Sequence, residues 1–441
     1  MKRYKTLLVF ALLAGSLANA QNPIVTHMYT ADPTARVFDG KLYVYPSTDI
    51  RCEEGFADNG FCMPYYHVFS TENMTTWKDH GLIIDQTDVP WGNPKGFGMW
   101  APDCVKKGDT YYYYFPAPPA DKSSFRRIGV ATSKSPTGPF SVEKNYIKGI
   151  EGIDPNVLVD DDGKAYMYYG GGENLFVVEL AQDMKSIKGK PQKIETLPGK
   201  YKEGSFVFKK DGTYYFTFPH APGGSEEIAY ATGTNPKGPF TYQGVILDRW
   251  KDGAWTNHHS IVAFKKQWYI FYHHHDISND QHLRSMRVDS LFFNKKGLIQ
   301  HKTATLRGVG LHPIDQPIQI DRYTTSKNLK ISRIKESNEV NWQLDYIKSG
   351  SEVSYNAVDF SSKKVKNVTY KVSSGTQGGL IKLYINNQLI TTTQVHNTGG
   401  WNNWQEVSSP ISKKIKGVQN IKLVFEGGTN YLLNIDWVKF N

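Results

Sequence analysis

The chain has 441 residues, 39% of them hydrophobic, with a formal charge of +10. It is longer than one ordinary domain and apolar enough to bury a substantial core, so two domains are expected. Lys and Arg alternate with Asp and Glu instead of forming a basic block, which argues against a nucleic-acid footprint and for a solvated surface. Residues 1–20 read as an export signal. Lys2, Arg3 and Lys5 give a basic start, Leu7 to Leu17 form an apolar stretch too short to span a bilayer, and Ala18-Asn19-Ala20 is a small-x-small cleavage site. Without those three cations the charge is +7, from 10 − 3. No later segment reads as membrane-spanning, so the mature protein is expected to begin near Gln21 and to be exported, periplasmic or secreted, as a monomer. In an oxidising compartment Cys52 and Cys62 could close a loop, leaving Cys104 free and buried. Spacing alone leaves that disulfide open.

Helical periodicity is nearly absent downstream. Short aromatic strands recur instead: Asp39 to Tyr45, Gly108 to Phe115, Asp162 to Tyr169, Asp211 to Phe218 and Lys266 to His273. Aligned on Tyr43, Tyr112, Tyr166, Tyr214 and Tyr269, each has a polar or aromatic residue upstream: Asp32, Trp100, Asp154, Glu203 and His258, at offsets of 11, 12, 12, 11 and 11. A period of roughly 50 residues with several strands per unit is the mark of a β-propeller, whose equivalent positions converge on a central channel. Three acids converging from distant sequence suit hydrolysis of a glycosidic bond. Pro33 and Pro155 follow two of these acids, and a following proline favours extended backbone.

Two ten-residue segments also match, Ala131 to Phe140 and Ala231 to Phe240, each ending in a Gly-Pro-Phe turn whose ring can plug the gap between blades. The pattern stops near residue 300. The proline-bearing stretch Leu311 to Lys327 marks a boundary, drawn between a five-bladed propeller at 21–312 and a β-sandwich, or jelly roll, at 313–441, so the chain is all-β.

The set ADPT (Ala31 to Thr34), WAPD (Trp100 to Asp103), IDPN (Ile153 to Asn156), the KEGS glutamate Glu203 and NHHS (Asn257 to Ser260) resembles glycoside hydrolase family 43. These are five-bladed propellers that remove arabinose or xylose from plant cell-wall polysaccharides. The resemblance covers roughly residues 23–310 and implies Asp32 as general base, Glu203 as general acid and Asp154 as the residue that orients the acid and raises its pKa, in an inverting mechanism. It also implies that His258 faces a hydrated calcium ion, with His259 as the alternative, and that Arg284 pairs with the base. Trp100 and Phe56 are candidates for the wall of the sugar pocket, with Trp100 equally readable as core. The tail resembles carbohydrate-binding module family 6, which implies Trp401 as a stacking platform and Asn434 as a hydrogen-bonding residue, with Trp404 and Trp437 as core. It departs from that pattern at Gln319 to Asp321 and at Glu352, so Tyr346 or Tyr355 is expected to supply a second ring. The function implied is hydrolysis of α-L-arabinofuranosyl or β-D-xylosyl linkages in xylan, arabinoxylan or arabinan. The alternatives are an endo-acting relative and a catalytically silent glycan-binding propeller.

Overall fold

The structure, a computed structural model, describes residues 22–52, 60–172, 174–195, 197, 201–251, 254–305, 308–334 and 340–441. The expected signal at 1–20 and Phe56 lie outside the described residues. Five antiparallel sheets form five blades, each beginning with its innermost strand. The first blade is Tyr29–Phe38, Lys41–Asp49, Tyr65–Thr71 and Lys78–Asp85; the second is Asp103–Lys107, Thr110–Ala117, Arg127–Ser133 and Ser141–Val142. Asn156–Val159, Ala165–Gly171, Asn174–Leu180 and Ile187–Lys193 make the third; Phe206–Lys210, Thr213–Gly223, Ser225–Gly233 and Thr241–Leu247 the fourth; His259–Phe264, Gln267–His274 and Ser285–Leu291 the fifth. The innermost strands touch in order, and the first also touches the last, so the ring closes around a channel.

Aromatic residues seal the joints between blades because strand side chains alternate between two faces, and each face packs on a neighbouring blade. Tyr113 of the second blade meets Tyr45 and Tyr66 of the first at 5.7 and 5.3 Å between ring centres. The two matched turns do the same work twice. Tyr45 donates to the Pro136 carbonyl at 2.7 Å and Tyr168 to that of Pro236 at 2.6 Å, while Phe140 packs on Tyr113 and Phe240 on Phe216.

Residues ahead of and at the start of the first strand fasten the ring. Asn22 exchanges hydrogen bonds with the Val288 backbone, Ile24 donates to the Met286 carbonyl and Thr30 to that of Arg284. This segment thus lines the edge of the fifth blade and holds the first strand beside Arg284.

The C-terminal part is a sandwich of two six-stranded sheets over a core that includes Leu344, Val353, Tyr370, Ile381, Leu423 and Phe440. His312–Pro313 already pairs with Val358 and Asp359 of this sandwich. Among the described residues no helix is long and apolar enough to cross a membrane. Cys52 and Cys62 are joined as a disulfide, with 5.4 Å between their Cα atoms, and Cys104 is free and buried.

Candidate active site

All five residues at the repeating offset line one cavity of about 390 Å³: Asp32, Trp100, Asp154, Glu203 and His258. Phe61, Phe125, Lys202, Trp255, Thr256 and Arg284 are also part of its wall. Each acid sits on or just ahead of an innermost strand, where the narrowing of the blades brings residues far apart in sequence together. Trp100 belongs to this wall and not to the core between blades. It is half-buried, with the Arg126 guanidinium 4.2 Å from its ring centre and Phe125 edge-on at 5.6 Å.

The acids are held in strained backbone. Asp32 and Asp154 have φ of 48° and 54°, in the left-handed region, against the extended conformation expected ahead of a proline. Such positions cost about 1–3 kcal/mol each and persist only when surrounding contacts impose them. For Asp32 the cause is a register shift in the first blade: Ala31 pairs with Ser47 but Thr34 with Tyr45, so Asp32 and Pro33 bulge into the channel. Its carboxylate is then fixed by the Ser47 hydroxyl at 2.7 Å and Arg284 Nη1 at 3.0 Å. Asp154 Oδ2 accepts the N–H of Gly204, the residue after Glu203, at 3.0 Å. Gly204 has φ of 62°, and a Cβ there would lie 2.9 Å from the His258 ring, so this turn admits only glycine without displacement.

Burial alone would raise the Asp32 carboxyl, but Arg284, His273 and His258 together outweigh it and hold it far below the ordinary carboxylate range. Asp154 is pushed well above that range by burial and by the charges of Glu203 and Asp32. Glu203 is also raised, by burial and by the Asp32 charge, with Lys202 opposing. A fourth acid, Glu226, is 1% exposed and raised by burial and by Glu203; its Oε2 accepts the Asn257 N–H at 2.7 Å. Like charges this close cannot all ionise, so the site retains a proton while Asp32 stays ionised.

His258 lines the cavity, with Nδ1 3.9 Å from Asp32 Oδ1. His259 points away, its Nε2 2.6 Å from the Thr217 hydroxyl and its ring against Phe206. A third histidine, His273, was not singled out in sequence. Its Nδ1 accepts the Asp32 N–H at 3.2 Å, which places the proton of the neutral ring on Nε2, facing Thr256; burial and Arg284 bring this group down to about 4. Calcium takes six to eight oxygen ligands. Among the described residues no group of three or more His, Cys, Asp or Glu side chains could hold a metal ion.

In the sandwich, Trp401 is 37% exposed and lies over Gly375, whose added Cβ would meet Trp401 Nε1 at 2.7 Å. Asn434 is buried and donates to the Trp401 carbonyl at 3.4 Å, so its amide holds the Trp401 backbone. Tyr346 is exposed, edge-on to Tyr431 at 5.4 Å, whereas Tyr355 is core and donates to the Ile320 carbonyl. Trp404 and Trp437 are half-buried and not core: Trp404 stands between the exposed Asn403 and Gln405, and Trp437 alternates with the buried Val438 and Phe440.

Residues 20–299 match the profile of glycosyl hydrolases family 43. The chain belongs to this family. Residues 321–441 match carbohydrate binding module family 6. A xylosidase/arabinosidase of Humicola insolens is 38% identical over 328 residues, covering 63% of this chain and 98% of that protein. An arabinoxylan arabinofuranohydrolase of Bacillus subtilis is 31% identical, covering 95% of this chain and 92% of its own length. Among solved structures, a family 43 arabinoxylan arabinofuranohydrolase from Bacillus subtilis in complex with cellotetraose superposes with a TM-score of 0.74 at 26% identity, covering 96% of this chain and 98% of that one. A family 43 β-xylosidase/α-arabinofuranosidase from a compost metagenome, in complex with xylotriose, gives 0.59 at 38% identity, covering 65% and 98%. This family 43 protein is therefore a glycoside hydrolase of the hemicellulose-degrading kind. The tail's departure from the module pattern has a visible use. Gln319 exchanges hydrogen bonds with the Trp77 backbone at 2.9 and 2.6 Å, and Asp321 faces His27, so both dock the sandwich on the first blade.

Proposed function

We propose that the protein is an inverting, exo-acting hydrolase that removes α-L-arabinofuranosyl or β-D-xylosyl units from arabinoxylan, xylan or arabinan. The observation that carries this is the meeting of Asp32, Asp154 and Glu203 in one cavity the size of a small sugar site. Asp32, ionised and aimed by Arg284 and Ser47, takes a proton from water as the water oxygen bonds to the anomeric carbon. Glu203 gives its proton to the departing oxygen as the glycosidic C–O bond breaks. Asp154, Glu203 and Glu226 are all raised and titrate together, so the retained proton belongs to the group of carboxyls; Asp154 and Glu226 are each tied to a main-chain N–H, and Glu203 is the member given the role of handing the proton to the leaving oxygen. Phe61, Trp100 and Trp255 supply apolar wall against which a pentose ring can pack. Any calcium at His258 would rest on that imidazole and water; loss of activity in EDTA, restored by Ca2+ in the wild type and not in His258→Ala, is the test. The Cys52–Cys62 disulfide supports export to an oxidising compartment. Purified enzyme should be given arabinoxylan, arabinan and xylo-oligosaccharides, with the released sugar identified and its anomer followed by proton NMR. A monosaccharide appearing first with inverted configuration is expected. Internal cleavage products or first-formed retained product would overturn the reading.

A further inference from the structure

The second strand of the first blade, Lys41–Asp49, carries Ser47 and Asp49 two residues apart. Side chains alternate along a strand, so both leave the same face. That face looks at the base. The Ser47 hydroxyl donates to Asp32 Oδ2 at 2.7 Å. Among the described residues, every hydrogen bond to the Asp49 carboxylate comes from Arg284: Nε and Nη2 at 2.9 Å each, and the main-chain N–H at 2.8 Å. The remaining edge of the same guanidinium, Nη1, reaches Asp32 Oδ1 at 3.0 Å. Ser47, Asp49 and Arg284 are all 3% exposed or less.

We propose that Ser47 and Asp49 are positioning residues of the hydrolytic reaction, Ser47 aiming the base directly and Asp49 aiming it through Arg284. This rests on the reading of Asp32 as general base. A guanidinium fork matches a carboxylate with two parallel N–H bonds. If Asp49 did not fill the Nε/Nη2 fork, the nearest carboxylate left for it would be Asp32, and a two-pronged clamp there would tie up the oxygens that must receive a proton from water. With the fork occupied, Arg284 offers Asp32 a single N–H, and lone pairs stay open toward the cavity. Asp49 also shares the buried positive charge, so Arg284 keeps Asp32 ionised without taking all of its basicity. Neither Ser47 nor Asp49 lines the cavity, so the effect belongs in kcat and not in sugar binding.

The test measures kcat and KM on a nitrophenyl pentoside for Ser47→Ala, Asp49→Asn, Arg284→Ala, the Asp49→Asn/Arg284→Ala pair and Asp32→Asn. Ser47→Ala should lower kcat roughly 10-fold and Asp49→Asn roughly 10²-fold, the order expected when a reacting group is misplaced by about 1 Å, with KM within about threefold of wild type. The double variant should be no worse than Arg284→Ala alone, because Asp49 acts only through Arg284. Unchanged kcat in Ser47→Ala and Asp49→Asn, losses confined to KM, or multiplying losses in the pair would overturn the proposal. Should Asp49→Asn fail to fold, Ser47→Ala decides by the same split, since it deletes one hydroxyl and leaves Arg284 on Asp32. Near-normal activity in Asp32→Asn would instead sink the base assignment, whatever the other variants do.

Discussion

The carboxylates proposed to accept and to give a proton sit in the same cavity, and their neighbours separate them. Asp32 has a buried guanidinium and two imidazoles beside it; Glu203 has burial and the charge of Asp32. On the proposed mechanism turnover needs Asp32 ionised and Glu203 protonated. Asp32 is held ionised down to strongly acid pH, and Glu203 keeps its proton above its ordinary 4.5, so kcat/KM should fall on the alkaline side as Glu203 ionises. Asp154 shares the cavity with this acid and accepts the N–H of the residue after it, and in such an interacting pair the ionisation of one carboxyl disfavours that of the other. Asp154→Asn should therefore move the alkaline limb of kcat/KM to lower pH; a limb that stays or moves up would contradict the arrangement. Glu203→Ala should cost roughly 10²-fold to 10⁴-fold on an oligosaccharide. It should cost far less on a nitrophenyl glycoside, whose leaving group departs without a proton. Equal losses on both substrates would remove Glu203 from the role of acid.

At the scale of strands and turns, the blades were legible because each repeats a short aromatic strand, and the offset to the channel mouth survives in five copies. Asp32, Trp100, Asp154, Glu203 and His258 could be found from that offset alone, since a propeller maps equivalent positions onto one axis. The supporting residues could not. Asp49 and His273 act on partners 235 and 241 residues away, and nothing in their local sequence marks the pairing. Glu226 sits among ordinary strand residues, and its burial beside Glu203 is a product of how blades stack. The left-handed φ of Asp32 ran against the local rule for a residue before proline, because a bulge and four tertiary contacts override that preference. Equally hidden was the joint between domains. The His27 ring stacks on Trp342 at 3.8 Å between Asp79 of the first blade, 3.4 Å away, and Asp321 of the sandwich, 3.5 Å away. Lys78 and Arg322 share the same cleft, and His67 faces the other oxygen of Asp79. Burial lowers the affinity of His27 for its proton, but the two carboxylates outweigh it and leave the group raised. A raised pKa contributes stability that is full below the unfolded value of 6.5 and is lost as pH climbs through the folded value. His27→Gln should thus lower Tm more at pH 5.5 than at pH 9. A Tm difference that is constant, or larger at high pH, would show that the ring acts only by packing.

The molecule as a whole joins the channel that gathers the three acids to a sandwich with an exposed aromatic edge, and the joint is made by hydrogen bonds and a ring stack. Gln319, Asp321 and Trp342 bury Trp77, His27 and Asp79 of the first blade, and that blade carries Asp32, Ser47 and Asp49. Cutting the chain near Pro313 would expose those groups, so loss of activity in the shortened protein would report damage to the base's own blade and not loss of a sugar site. The informative change is one that leaves the joint intact. Trp401→Ala removes the platform over Gly375, and Tyr346→Ala removes the exposed ring beside Tyr431; neither touches the propeller. If the sandwich holds polymer near the channel, its contribution is effective concentration, which matters for a chain fixed in a solid and not for a freely diffusing small glycoside. Both variants should therefore keep wild-type kcat and KM on a nitrophenyl pentoside while releasing sugar more slowly from insoluble xylan, and pull-down on that xylan should weaken in parallel. Wild-type rates and retention on insoluble xylan for both variants would mean that the sandwich serves this enzyme as a brace for the first blade.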